Sequence, residues 1–281
     1  MTHRVAVFFS YARPADAKYA MEKALSDLFD QTTMAIGGID SNIGMESTGD
    51  RNIQVLYENH KLGKSSAYNR AIQNIGDGQI FLISADTRFE DSVINRMIEC
   101  IGDNYELAFP RIEPYHGCTL AEKLGLVMWR FHDSYVSMKE SRGQFFCGGE
   151  FQVVRHRFII PDVSIVNDDE YLCHRVVSGG GKIKYCRDVV VRNTVPGSIR
   201  ELLRQRVRVN FGHMQSRKQL GQHASFSISS VNPMETIAAI RNFNRDYPGS
   251  LPVLFMASII EAVSLLEAFI LRIQGRNLSN W

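Results

Sequence analysis

Ile80-Phe81-Leu82-Ile83-Ser84-Ala85-Asp86-Thr87 is a short apolar run that breaks into a polar turn carrying a carboxylate. A run of branched and aromatic residues bounded by polar ones predicts a strand buried on both faces. Three similar runs lie upstream: Val5 to Phe9, Met34 to Ile39 (ending at Asp40) and Ile53 to Tyr57. Helical spacing fills the gaps between them. Ala15 to Asp30 places Tyr19, Ala20, Leu25, Leu28 and Phe29 at near-helical intervals, and Lys64 to Ile75 is stopped by Gly76-Asp77-Gly78. This alternation predicts an α/β fold with a largely parallel sheet and helices on its faces. In such sheets ligands bind beyond the carboxyl ends of the strands. Asp40 and Asp86, both at strand ends, are therefore expected to point into one cleft.

Downstream the pattern is less regular. Leu120 to Met138 predicts a helix, and Phe145 to Arg155 a strand or extended segment containing Gly148-Gly149. Asp169 to Val177 predicts a helix stopped by Gly179-Gly180-Gly181. Ile183 to Tyr185 and Val189 to Val191 read as short strands, and Ser198 to Phe211 as a helix with Ser198 as its N-cap. Gln215 to Pro233 is polar and rich in breakers, which predicts a mobile loop. Leu251 to Ile273 is strongly apolar but contains Glu261 and Glu267. Each carboxylate would cost a few kcal/mol near a bilayer centre. A docked or interfacial helix is favoured over a membrane span.

The chain has 281 residues, enough for one large α/β domain or two small ones, and its 44% apolar and 22% charged content suits a folded soluble protein. A net charge of +2 gives no reason to expect a nucleic-acid partner. The five cysteines are odd in number and lack CxxC spacing, so neither a disulfide framework nor a structural zinc site is expected. The apolar run near the N-terminus is too short for a signal peptide. The expected location is cytoplasmic and reducing.

Three features carry chemistry. Asp86 is a carboxylate at a strand end, suited to a hard cation that takes its other ligands from phosphates, although it also suits a cap on the following turn. Asp168, Asp169 and Glu170 open a helix, where the dipole favours acids in any case. Gln205-Arg206-Val207-Arg208 sets two arginines beside a glutamine on a helix, a pattern that is commonly a solvated face but that also suits a cleft wall reaching a diphosphate. Transfer from a nucleotide sugar would use all three: positive charge for the leaving diphosphate, a base for the acceptor hydroxyl, and polar groups that grip the nucleotide.

The order of motifs resembles the family 2 inverting glycosyltransferases of GT-A fold. Val5 to Phe9, Gln31 and Asp40 are similar to that family's first strand, Gln and base-binding Asp. Gly63-Lys64-Ser65-Ser66-Ala67-Tyr68-Asn69-Arg70-Ala71 resembles its GK-x-x-A-x-N-x-A helix start, and Ser84-Ala85-Asp86 its D-A-D motif. Phe146-Cys147-Gly148-Gly149 resembles its acceptor segment, and Asp168-Asp169-Glu170-Tyr171-Leu172-Cys173-His174-Arg175 its E-D-x-x-L-x-x-R helix. Gly181 to Tyr185 matches a G-x-K-I-x-Y strand, and Gln205-Arg206-Val207-Arg208-Val209 the Q-R-x-R-W motif.

The resemblance covers about residues 4 to 212. It implies a Rossmann-like, mixed, mostly parallel sheet flanked by helices. The catalytic domain would span 1–214, with a nucleotide-binding half to about 100 and an acceptor half beyond it. Residues 215–281 would form the loop and a hydrophobic helical tail. The implied activity is metal-assisted, inverting transfer of a sugar from a nucleotide-diphosphate donor to an acceptor hydroxyl. A UDP-sugar is favoured over a GDP-sugar, and the cofactor would be Mg²⁺ or Mn²⁺. By the resemblance, Asp40 binds the base and Lys64, Ser84 and Ala85 lie at the nucleotide. Asp86 holds the metal and Asp169 is the base. Asp168, Gln205, Arg206 and Arg208 serve the diphosphate or the acceptor.

Two positions depart from the pattern. Ser84 replaces the first Asp of D-A-D, and Val209 replaces the Trp that holds a growing chain in polysaccharide synthases, so non-processive transfer is expected. A nucleotidyltransferase and a non-catalytic nucleotide- or sugar-binding relative stand as the alternatives. The acceptor, a peripheral membrane contact through 251–273 at the inner face of the membrane, and homo-oligomerisation stay open.

Overall fold

A computed structural model of the chain describes residues 3–11, 14–37, 53–58, 64–73, 75, 78–115, 117–155, 165–221, 225, 232–276 and 278. Asp40 and Gly63 lie outside the described residues. The strands are β1 (Arg4–Tyr11), β2 (Gln31–Gly37), β3 (Ile53–Glu58), β4 (Gln79–Ser84), β5 (Leu107–Ile112), β6 (Phe151–Val154) and β7 (Ile183–Val191). They form one seven-stranded sheet in the order β3-β2-β1-β4-β6-β5-β7. All pairings are parallel except those of β6, which runs antiparallel to β4 and β5. This is the mixed, mostly parallel sheet that the sequence predicts.

The helices among the described residues are α1 (Pro14–Ala24), α2 (Lys64–Gln73), α3 (Ser92–Ile101), α4 (Leu120–Ser141), α5 (Asp168–Ser178), α6 (Ile199–Leu220), α7 (Pro233–Asp246) and α8 (Leu251–Ile273). Alternation along β1 decides which face each helix covers. Val5 and Val7 pack with Tyr68 and Ile72 of α2 and with Leu172 and Val176 of α5. Ala6 and Phe8 pack on the other face with Ala17 and Ala20 of α1 and Met97 of α3. Both sets are almost wholly buried. Each large side chain so buried contributes about 1.5–3 kcal/mol. Phe29, Phe81, Phe151 and Phe89 stack edge to face through the second layer.

Local chemistry sets several boundaries. Ser198 caps α6 as its sequence predicts, its hydroxyl accepting from the Glu201 N–H. Thr119 and Glu122 form a reciprocal capping box at the start of α4. α6 stops at Gly221, whose φ of 70° suits glycine. It thus runs to Leu220, six residues into the stretch read from sequence as a loop. α1 ends at Ala24, short of the expected Asp30. The two short strands read at 183–185 and 189–191 are one strand, β7, interrupted by a bulge where Pro110 pairs with Cys186 but Arg111 pairs with Val190.

One expectation is overturned. Cys100 on α3 and Cys186 on β7 form a disulfide, their Cα atoms 6.0 Å apart across 86 residues of chain. Packing of α3 on β7 brings together two cysteines whose spacing carries no motif. Cysteine usage therefore no longer argues for a reducing compartment.

The C-terminal helix is docked on the domain. α8 runs parallel to α6. Asn210 Nδ2 donates to Ser264 Oγ at 2.9 Å, and Arg272 Nη1 to the Met214 carbonyl at 2.6 Å. Ala257, Ser264 and Ala268 are buried in the contact. By length and composition alone, α8 is long and apolar enough to cross a membrane.

Candidate active site

A cavity of about 1230 Å³ opens at the carboxyl ends of β1 and β4. Four chain segments far apart in sequence supply its polar wall: Ser84 to Asp86, Gly148 to Glu150, Asp168 and Asp169, and Gln205, Arg206 and Arg208 of α6. Lys64 joins them from the first turn of α2. Every expected site residue among the described ones therefore lines the same cavity.

The turn that carries Asp86 is fixed from both neighbouring strands. The Ala85 N–H donates to the Phe9 carbonyl of β1 at 2.8 Å, and the Ser84 N–H to the Glu150 carbonyl at 2.9 Å. The Thr87 N–H closes the turn onto the Ser84 carbonyl at 2.9 Å. Because β6 runs antiparallel to β4, its entry lies beside the exit of β4. Glu150 is thereby delivered to Ser84 and Asp86. Burial pushes the Glu150 carboxyl up, and the Asp86 charge adds to this. Lys64, a hydrogen bond with the Ser84 side chain, and Arg208 pull it back. Glu150 was not among the residues singled out in the sequence, although it follows Gly148-Gly149 directly.

Asp169 sits in the first turn of α5. Burial, then the neighbouring Asp168 charge, push its carboxyl up to about 6, against the opposing pull of Lys64 and of a backbone hydrogen bond at Glu170. The paired glycines explain how it fits. A Cβ on Gly149 would overlap the Asp169 carboxylate, and one on Gly148 would strike the Phe109 ring. The glycines therefore let the turn that carries Asp169 approach the sheet.

Lys64 is the central cation. Its Nζ lies 3.6 Å from Asp168 Oδ2 and 5.4 Å from the centre of the Phe9 ring. Burial works against its charge, but Asp168, Glu150 and Asp169 outweigh burial and hold its pKa above the usual value. The two arginines of α6 differ. Arg206 makes a bidentate pair with Glu261 of α8, Nε to Oε2 and Nη2 to Oε1, both at 2.8 Å. Arg208 acts on Lys64 and Glu150.

Further groups support the wall. His213 Nδ1 lies 2.8 Å from Glu170 Oε2, and the Asn167 amide lies 3.3 Å from the same nitrogen. Gly212 leaves room for that amide, since a Cβ there would overlap it. His132 of α4 also lines the cavity. Burial, then Arg206 and His213, push it down to about 4, so it is neutral near pH 7.

The residues present fit a divalent cation. Among the described residues there is no group of three or more His, Cys, Asp or Glu arranged to hold a metal. Asp86 and Glu150 nonetheless form a close acidic pair at the cavity. One or two carboxylates are what Mg²⁺ or Mn²⁺ requires when phosphate oxygens complete its shell. A dication would also relieve the repulsion that raises the Glu150 carboxyl.

No family model matches the chain, and no curated protein matches it. Among solved structures, the mannosyltransferase PcManGT from Pyrobaculum calidifontis, crystallised with GDP-Man and Mn²⁺, aligns with a TM-score of 0.58 at 14% identity, covering 99% of this chain and 89% of that one. The inositol-1-phosphate CTP transferase from T. maritima aligns with a TM-score of 0.44 at 8% identity, over 69% of this chain and 89% of that one. HddC from Yersinia pseudotuberculosis reaches a TM-score of 0.32 at 16% identity, over 38% and 57%. The last two are too distant in shape to carry an argument. The first shows that this chain shares its mixed, mostly parallel α/β fold with a glycosyltransferase.

Proposed function

We propose that the chain is an inverting glycosyltransferase that moves a sugar from a nucleoside-diphosphate donor to an acceptor hydroxyl. The observation that supports this best is the convergence of Asp86, Glu150, Asp169, Lys64 and Arg208 on one cavity at the strand ends. Five side chains from five separate segments supply the three functions that such a transfer demands.

The division of labour follows from the electrostatics. Asp169, with its carboxyl near 6, is ionised at neutral pH and basic enough to accept a hydroxyl proton. The acceptor oxygen attacks the anomeric carbon as that proton passes to Asp169. The bond from the anomeric carbon to the diphosphate oxygen breaks, and the nucleoside diphosphate leaves from the opposite face. Lys64 and Arg208 lie where they can offset the leaving charge. Asp86 and Glu150 would hold the cation, Glu150 taking the place of the carboxylate missing at Ser84. A bound Mg²⁺ or Mn²⁺ supplies Lewis-acid neutralisation of the departing diphosphate. Lys64 acts on both acidic centres, pulling the Glu150 and Asp169 carboxyls down against the rise that burial imposes. Arg206, held by Glu261, shapes the wall of the cavity. Its role at the diphosphate or the acceptor would require exchange of Glu261 for a new partner.

The donor panel begins with GDP-mannose, because the similar mannosyltransferase was crystallised with GDP-Man and Mn²⁺, and includes UDP-sugars. With Mn²⁺ present, one of these donors should release nucleoside diphosphate, and Asp169→Asn should abolish that release. Pyrophosphate release from a nucleoside triphosphate and a sugar 1-phosphate would instead establish a nucleotidyltransferase.

A further inference from the structure

One wall of the cavity is itself an exposed apolar surface. Phe255 of α8 is 70% exposed, Leu266 61% and Ile273 71%. With Ile259, Val263 and Ile270 they form a stripe along the whole helix at helical spacing. On α7, Met234 and Ile237 are also exposed. Apolar patches this long on a soluble domain mark an interaction surface.

Two further observations say what covers it. The stripe does not stop at the cavity. Phe255 and Ala262 are exposed and also line the cavity, with Leu254 and Leu265 beside them, so apolar surface runs without a break from solvent toward Glu261 and Arg206. Charge adds a second argument. α6 and α8 together carry seven basic residues against three acidic ones. Because the two helices run parallel, the exposed Arg217, Lys218 and Arg276 gather at one end. A lipid surface with anionic headgroups matches both the apolar stripe and its basic end.

We propose that α8 lies in the plane of an anionic lipid surface and that its cavity-side edge guides the aliphatic chain of a lipid-borne acceptor, whose hydroxyl reaches Asp169. The acceptor half of this statement rests on the glycosyltransferase reading. The docked face of α8, with Ser264 and Glu261 bonded to α6, stays on the protein, while the opposite face enters the interface. Glu267 stands at the edge of the exposed arc, where it can reach water.

The experiment uses the full chain and vesicles of phosphatidylcholine with phosphatidylglycerol (about 3:1), part of the phospholipid bearing a diazirine in one acyl chain. The protein should float with these vesicles and bind pure phosphatidylcholine vesicles more weakly. Phe255→Glu with Leu266→Glu should lower the bound fraction roughly tenfold. Irradiation should label Phe255, Leu254 and Leu265, and Ala262→Trp should suppress the Leu254 and Leu265 labels while flotation persists. Absence of wild-type flotation overturns the surface proposal, as does a dimer that shields Phe255 and does not float. Flotation with labels confined to Ile259, Val263 and Ile270 overturns the acceptor track. Binding of GDP or UDP with Mn²⁺ is measured on the same preparations. Loss of nucleotide binding would count against the glycosyltransferase reading. Nucleotide binding without flotation would count against this proposal alone.

Discussion

Asp169, the proposed base, carries a carboxyl whose ionised form is costly to the fold. Its carboxyl is raised from the usual 3.8 to about 6 because burial and Asp168 disfavour its charge. The raised value means that the folded state binds a proton more tightly than the unfolded chain. That contribution to stability is fully present below about pH 4 and is lost as pH rises through about 6. At pH 8 the ionised carboxylate is a burden. Asp169→Asn should therefore melt higher than wild type at pH 8, by the equivalent of roughly 1–3 kcal/mol, with the difference vanishing below pH 4. The same variant should lose about 10²–10⁴-fold in turnover while keeping donor affinity. In the wild type, kcat/KM should fall on the acid side of about pH 6, traced with a donor that does not itself titrate there. A flat profile from pH 5 to 8 would remove Asp169 from the role of base. Glu150 has a separate signature. Glu150→Gln should weaken Mn²⁺-dependent nucleotide affinity roughly tenfold, and unchanged affinity would leave Asp86 as the sole protein carboxylate on the cation.

At the scale of elements, the site depends on one antiparallel strand in an otherwise parallel sheet. β6 enters where β4 exits, so Glu150 lands beside Ser84, and Gly149 yields its Cβ space to Asp169. Gly149→Ala should keep the fold but displace the Asp169 carboxylate, with turnover falling roughly 100-fold and nucleotide binding little changed. These facts also explain what was legible in the sequence. β1, β3 and β4 announce themselves as apolar runs, and α8 matches its expected bounds of Leu251 to Ile273. Lys64, Asp86 and Asp169 lie at element ends, where local pattern and family resemblance both point. Glu150 is different: it directly follows Gly148-Gly149, but only the pairing of β6 with β4 brings it beside Ser84 and Asp86. Antiparallel insertion has no local signal. No element is expected from sequence at α3, β5 or α7, although Val93, Ile94, Met97 and Ile101 of α3 do recur at helical spacing, and the bulge in β7 divides one strand into two short apolar runs. The Cys100–Cys186 link likewise depends on the packing of α3 against β7. Alkylation of the unfolded, unreduced protein should label three cysteines, Cys118, Cys147 and Cys173, and five after reduction.

The whole molecule joins a seven-stranded sheet to a helical wall through a few polar contacts. Arg206, Asn210 and Ser264 fasten α8 to α6 around Glu261. Glu261→Ala would leave Arg206 partly buried without its counter-charge and should destabilise the protein by about 2–4 kcal/mol in denaturant titration. A change below about 0.5 kcal/mol would show that α8 is held by its apolar contacts alone. The proposed function requires this cavity to be a nucleoside-diphosphate site completed by a cation. The most direct test is titration calorimetry of wild type and Asp86→Ala with GDP and UDP, each with and without Mn²⁺. With the proposed function, at least one nucleotide should bind wild type one-to-one, only with Mn²⁺ present, and should fail to bind Asp86→Ala. Absence of binding under every condition, or Mn²⁺-dependent binding that Asp86→Ala leaves intact, would contradict it.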